Sequence, residues 1–251
     1  MIPDEAGDIT GFNRRKRAEG SESGGRVSRK MRYYPVYLDI MNRKCLVVGG
    51  GSVSTRKVMT LLECGAVVTV VSPVVGPELL ELAEAGFIRW EKRTYRSSDL
   101  DGMFLVIGAT DQKEVNHRIF ADSEPLNKLC NIADRPEDCN FILPSVVRRG
   151  DLVIAVSTSG KSPAFAKHLR KDLENRFGEE YAEFLRLMGA IRKKLLSEGH
   201  EPEAHRHLFE RLINEGLLER IRKGDRKAAN RLLREIFGEQ YRYDELMKTR
   251  E

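Results

Sequence analysis

Three short runs, LVV (46–48), VVTVV (67–71) and FLVIGA (104–109), are apolar at nearly every position. A strand with one solvated face alternates apolar and polar residues. A strand covered on both faces does not, and such strands belong to the interior of parallel sheets. Between the runs lie segments with apolar residues at helical spacing. The helix predicted for 52–65 carries Val58, Leu61 and Leu62 on one face and ends at Gly65, and the helix in 76–86 has Pro77 in its first turn and Gly86 past its end. FIRWEKRTY (87–95) reads as a strand, 112–126 as a helix, and LCNIAD (129–134) as a further strand. Strands alternating with helices predict an α/β fold, a parallel sheet with right-handed crossovers.

The pattern changes after Cys139. FILPSVVRRGDLVIAVSTSG (141–160) reads as two strands around a turn at RRGD. From Ser162 onward, with Ser162 and Pro163 as N-cap and first-turn residue, the chain is a succession of amphipathic helices. Residues 1–30 are polar, rich in Gly, Ser, Arg and Glu, and without periodicity. They are expected to be a disordered extension, and whether Met31 is the true start is left open by the sequence.

Composition narrows the function classes. Hydrophobic residues make up 41% of the 251, enough for a real core, yet no apolar run approaches the ~20 residues of a membrane span. The first 30 residues lack an apolar core of the secretory kind. Net charge is +5 with the positive residues interleaved with acids, which suits an anionic small molecule as well as it suits nucleic acid, and neither nucleic acid nor a membrane is expected as a partner. Cys45, Cys64, Cys130 and Cys139 form no C-x-x-C pair and read as reduced core or near-site thiols of a cytoplasmic protein. The histidines are scattered: His205 and His207 are two apart, the wrong spacing for one helix face, and His117 reads as structural. No metal site is expected.

The chemistry concentrates in CLVVGGGSVSTRK (45–57), where a strand runs into glycines and a helix begins. That context gives a G-x-G-x-x-G-like pattern its meaning. Gly49 suits the tight turn and Gly51 the close approach of backbone to a pyrophosphate. Ser52 and Val53 open the helix whose N–H groups and partial positive charge attract the anion. Ser54 stands where a third glycine is usual and needs only to be small. At the end of the second strand, Ser72 and Pro73 occupy the place of the acid that binds an adenosine ribose, so this position leaves NAD and NADP open. Thr110 and Asp111, at the end of another strand, join the expected cofactor edge. The bland alternative is a plain strand–turn–helix corner.

Four stretches together resemble a known family: YYPVYLDIMNRKCLVVGGGSVSTRKVMTLLECGAVVTVVSP, GATDQKEVNHRI, NIADRPEDCNFILPS and LVIAVSTSGKSPAFAKHLRKDLE. In order and spacing they are similar to the precorrin-2 dehydrogenase/sirohydrochlorin ferrochelatase family, the sirohaem-synthase N-terminal module, from about Tyr34 to Leu185. The resemblance implies a Rossmann-like domain (31–143), a small β-containing dimerisation segment (144–180) and a helical C-terminal domain (181–251), assembled as a homodimer. It implies NAD-dependent oxidation of the tetrapyrrole precorrin-2 to sirohydrochlorin, with insertion of ferrous iron as a second reaction in some members. Asp134, matching the aspartate of the family's N-x-x-D pattern, is the implied catalytic carboxylate, though from the residues alone a turn cap is an equal reading. Glu137 and Asp138 are expected to be solvated. Asn131 and the segment Ser157, Thr158, Ser159, Gly160 and Lys161 are expected at the substrate carboxylates. Some relatives carry a phosphorylatable serine where this chain has Thr158. A Rossmann-type nucleotide sensor without catalysis is the competing reading, and a chelatase that has lost its oxidation step is a third, which the intact glycine loop disfavours.

Overall fold

A computed structural model describes residues 32–133, 135–201 and 205–248. The expected extension 1–30, Met31 and Asp134 lie outside the described residues. Residues 35–251 group as one compact unit.

Five strands, β1 (Lys44–Val48), β2 (Val67–Val71), β3 (Ile88–Glu91), β4 (Leu105–Gly108) and β5 (Leu129–Ile132), form one sheet in the order β3-β2-β1-β4-β5. Every pairing is parallel. The runs that lack alternation are buried on both sides. Cys45, Val47, Leu105 and Ile107 pack in one apolar cluster with Val58, Leu61 and Leu79. Leu46, Val48, Val106 and Ile132 pack in another with Leu100 and Ile119. The helices that cover these faces are α1 (Ser52–Glu63) and α2 (Pro77–Glu84) on the first and α3 (Lys113–Ser123) on the second. The strand expected over 87–95 stops at Glu91. Arg93 N–H turns back to Glu91 O at 2.8 Å, and Tyr95 enters the opposite core.

The chain then forms an antiparallel hairpin, β6 (Ser145–Arg149) and β7 (Leu152–Val156), with Gly150 of the RRGD turn at φ +55°. Val147 is buried, whereas Val146 and Val153, on the other face, are exposed. Helix α4 (Pro163–Arg176) follows, capped by Ser162, whose Oγ accepts the Phe165 N–H at 3.2 Å. The remaining helices are α5 (Glu180–Ser197), α6 (Arg206–Asn214), α7 (Leu217–Arg222), α8 (Arg226–Phe237) and α9 (Tyr243–Lys248). They enclose a core of their own around Leu187, Ile191, Leu212, Leu217 and Leu233. None of the described helices is long and apolar enough to cross a membrane.

Candidate functional site

Strands β1, β2 and β3 run outward in one direction from the centre of the sheet, and β4 and β5 in the other. The order therefore reverses between β1 and β4, and the crevice past their C-terminal ends is where open α/β sheets take ligands. The chain fills that place with Gly49–Gly51 from β1 and Ala109–Asp111 from β4.

The three glycines answer three different demands. Gly49 has φ +124°, and a Cβ there would lie 2.3 Å from Ala109 O, so this turn must be glycine for both conformation and space. Gly50 has an ordinary φ, but its Cβ would lie 2.0 Å from Val74 O. Its carbonyl accepts the Gly76 N–H at 2.9 Å, so the loop after β2 is closed down upon it. Gly50 is the variable position of the G-x-G pattern, and what demands glycine there comes from a distant loop. A Cβ on Gly51 would meet nothing within 4 Å. Gly51 is the N-cap of α1, with no side-chain cap and no acid in the first turn. The first N–H groups of a helix have no acceptor within it. Among the described residues no side chain substitutes for one, and the space beside Gly51 is open. Ser52 is exposed and Val53 half-buried at this opening. Such an uncapped, dipole-positive end fits an anion of pyrophosphate type.

Ser54, the departure from the glycine pattern, is fully buried, and its Oγ donates to Ala109 O at 3.2 Å. It thus fastens α1 to the end of β4. Thr110 follows. Its hydroxyl accepts the Gln112 N–H at 3.1 Å and is 2.9 Å from Asn116 Oδ1. These internal bonds occupy the Thr110 side chain, so what it offers a ligand is the shape of the turn. Asp111 is exposed at the mouth. At β2, Ser72 is buried and its hydroxyl donates to Val74 O at 2.6 Å, while its carbonyl accepts the Trp90 indole N–H at 2.9 Å. The expected hydroxyl donor to a ribose is thereby committed to its own loop. Pro73 is exposed.

Beyond β5, Ala133 N–H continues the ladder to Gly108 O at 2.8 Å. The expected catalytic carboxylate, Asp134, is the next residue and lies outside the described residues. The described flanks form a tightly bonded loop. Cys139 Sγ accepts the Ile132 N–H at 3.2 Å and lies 3.1 Å from Arg135 O. Asp138, expected to be solvated, is buried at 5% exposure, with Arg135 Nε at 3.0 Å and His117 Nδ1 at 3.6 Å. The Pro136–Asp138 3-10 turn carries Asp138 inward against the arginine and α3, while Glu137 remains outside. Asn131 is also buried. Its amide donates to Phe141 O at 3.0 Å, so the residue expected at the substrate has its donor group committed within the fold.

The segment 157–161 is a compact turn before α4. Ser159 N–H is received by Ser157 Oγ and Ser162 N–H by Thr158 Oγ1, both at 3.1 Å. Ser159 sits at φ +53° and Gly160 at φ +79°. Ser157, Ser159, Gly160 and Lys161 are exposed, and Thr158 is half-buried. Burial pushes the Cys45 and Cys130 thiols up to about 11, which keeps both inert at neutral pH. Cys64, expected as a core or near-site thiol, is exposed at the C-terminal end of α1. Among the described residues no group of three or more His, Cys, Asp or Glu could hold a metal ion.

Residues 36–145 match a family model described as putative NAD(P)-binding, and residues 149–176 match one described as sirohaem biosynthesis protein central. Siroheme synthase 1 of Aeromonas salmonicida is 34% identical over 84% of this chain and 45% of its own length. A siroheme synthase of Methylococcus capsulatus is 34% identical over 82% of this chain and 43% of its own. The chain thus spans less than half the length of these curated relatives. The solved structure of SirC, precorrin-2 dehydrogenase, superposes with a TM-score of 0.69 at 29% identity, over 81% of this chain and 98% of that one.

Proposed function

We propose that this chain, which belongs to the precorrin-2 dehydrogenase/sirohydrochlorin ferrochelatase family, oxidises precorrin-2 to sirohydrochlorin with NAD as the acceptor. The observation that carries the reading is the open, uncapped N-terminus of α1 at Gly51, set at the point where the strand order reverses. Gly49 and Gly50 hold the turn close to Ala109 and Val74, and the free N–H groups of the first turn are left to hold a pyrophosphate. Bound there, NAD supplies the hydride acceptor.

The chain's own contribution is positioning and proton management. Oxidation removes a hydride and a proton from the tetrapyrrole. Asp134, two residues past the end of β5 in the sequence, is proposed as the carboxylate that takes the proton. Ser157–Lys161 are proposed to receive substrate carboxylates, through exposed hydroxyls and the Lys161 ammonium. Insertion of ferrous iron as a second substrate would draw on the same carboxylate for the pyrrole protons. Assembly as a homodimer is supported by the β6–β7 hairpin, whose face opposite the buried Val147 exposes Val146 and Val153.

The test is an absorbance assay with purified protein, precorrin-2 and NAD, following NADH and the tetrapyrrole spectrum. Asp134→Ala is expected to abolish oxidation while NAD affinity stays within about threefold, since a general base contributes roughly 10²–10⁴ in rate. NAD binding without spectral change in the unsubstituted protein would instead support a nucleotide sensor. Sirohydrochlorin with ferrous ion, without NAD, tests chelation separately.

A further inference from the structure

The turn between β4 and α3 is held by a side chain that neither the glycine pattern nor the proposed chemistry uses. Asn116, on the second turn of α3, is only 5% exposed. Its Oδ1 accepts the Thr110 N–H at 3.2 Å and lies 2.9 Å from the Thr110 hydroxyl, while its Nδ2 donates to Thr110 O at 2.9 Å. One amide thus pairs with both backbone groups and the side chain of a single residue. From the opposite side, Ser54 Oγ holds Ala109 O, and Ala109 N–H is bonded to Val48 O at 2.8 Å. The two residues that follow β4 are fixed by three different elements. Ala109 O also lies where a Gly49 side chain would be, so any movement of this turn reaches the glycine loop directly.

We infer that Asn116 is a positioning residue for the dinucleotide: it holds Thr110 as a preformed wall of the crevice opposite the α1 N-terminus. The inference rests on the reading that this crevice binds NAD. Its physical basis is pre-organisation. Without the amide, the Thr110 N–H and C=O lose their partners at a half-buried position, and the turn must shift to find water. The ligand must then order it again on binding, which weakens affinity. Asn116 touches no reacting atom in this account, so saturating cofactor restores the rate.

The experiment compares Asn116→Ala with Ile119→Val, a cavity in the core face of the same helix, using the full chain. NAD affinity is measured by calorimetry, and oxidation is measured at varied NAD. Asn116→Ala is expected to raise the Kd and the KM for NAD by about tenfold with kcat within about twofold, the size of one or two lost hydrogen bonds. Ile119→Val is expected to lower thermal stability and leave the Kd unchanged. Should Asn116→Ala not fold, the isosteric Asn116→Asp keeps an acceptor for the N–H and hydroxyl of Thr110, loses the donor to its carbonyl, and is also expected to raise the Kd. An unchanged Kd in the folded asparagine variant overturns the inference, as does an equal rise in Ile119→Val. Absence of NAD binding by the unsubstituted protein overturns both the inference and the cofactor reading. NAD binding without tetrapyrrole oxidation refutes the proposed activity alone, and the Kd comparison still decides the role of Asn116.

Discussion

Gly51→Asp should move stability and cofactor affinity in opposite directions. Gly51 has φ −87° and ψ −175°, which any residue adopts, and a Cβ there meets no atom within 4 Å, so the substitution carries no steric cost in the free protein. It places a carboxylate at the N-cap of α1, where it can accept the N–H of Val53 or Ser54. An aspartate cap is worth a few tenths of a kcal/mol over glycine, and a negative charge at a helix N-terminus adds about 0.3–1 kcal/mol. The sum is about 1 kcal/mol, or a melting temperature higher by about 2–4 °C for a chain of this size. The same carboxylate takes the N–H groups proposed for the pyrophosphate and repels it. Unit charges about 4 Å apart at an effective dielectric of 20 interact by about 4 kcal/mol, so a net loss of about 3 kcal/mol, more than a hundredfold in Kd, is a conservative expectation. Differential scanning fluorimetry and NAD calorimetry on the same sample read both quantities. A variant that melts higher but binds NAD within a few-fold would mean that the dinucleotide lies elsewhere. A variant that melts lower would mean that the helix end is not open.

Gly50→Ala should show a different signature: its Cβ would displace Val74 and the bonds that close the 72–76 loop, costing about 1–3 kcal/mol of stability as overpacking does, measured by urea titration. Asp99 is half-buried, which opposes its ionisation, but two bonds from Arg93 and the Arg96 N–H hold it below the usual carboxylate range. A depressed folded-state value means that its contribution is complete above about pH 4, where the unfolded chain's aspartates ionise, and is lost as pH falls through the folded value. Asp99→Asn should therefore cost about 1.5–3 kcal/mol near pH 7 and progressively less as pH falls through the folded value, read from denaturation across an acid series. Val146→Lys with Val153→Lys, on the exposed hairpin face, should abolish the proposed dimer, leaving monomers in light scattering with far-ultraviolet circular dichroism unchanged.

The sheet was legible in the sequence because burial on both faces removes alternation, and Cys45–Val48 and Leu105–Gly108 carry that signature without interruption. The hairpin was legible from RRGD, and the start of α4 from Ser162 and Pro163. What could not be read were side chains whose partners arrive from far along the chain. Asp138 lies in RPED, a sequence that looks solvated, and is buried only because the turn folds it onto Arg135 and α3. Ser72 and Thr110 present hydroxyls in the sequence, but the structure commits them to Val74 and to Gln112 and Asn116. Asn116 itself looks like an ordinary polar helix residue, since nothing local reveals that position 110 comes within reach of its amide.

The two departures from the dinucleotide fingerprint have unequal consequences. At position 54 the usual glycine or alanine allows helix and strand to approach, and serine retains that closeness: its Oγ is itself 2.8 Å from the position of a Gly49 Cβ. The added hydroxyl then bonds Ala109 O, so the departure ties the glycine loop to the turn that Asn116 holds from the other side. The missing acid at the end of β2 has no comparable substitute. Ser72 is turned to Val74, and the loop closes on Gly50 through Gly76, so no carboxylate stands at this position to bond a ribose diol or to repel a 2′-phosphate. Discrimination between NAD and NADP at this edge must then come from the backbone and shape of residues 72–76. Substitutions that reopen that loop should therefore alter the ratio of the two affinities, whereas substitutions at Ser54 or Asn116 should weaken both together.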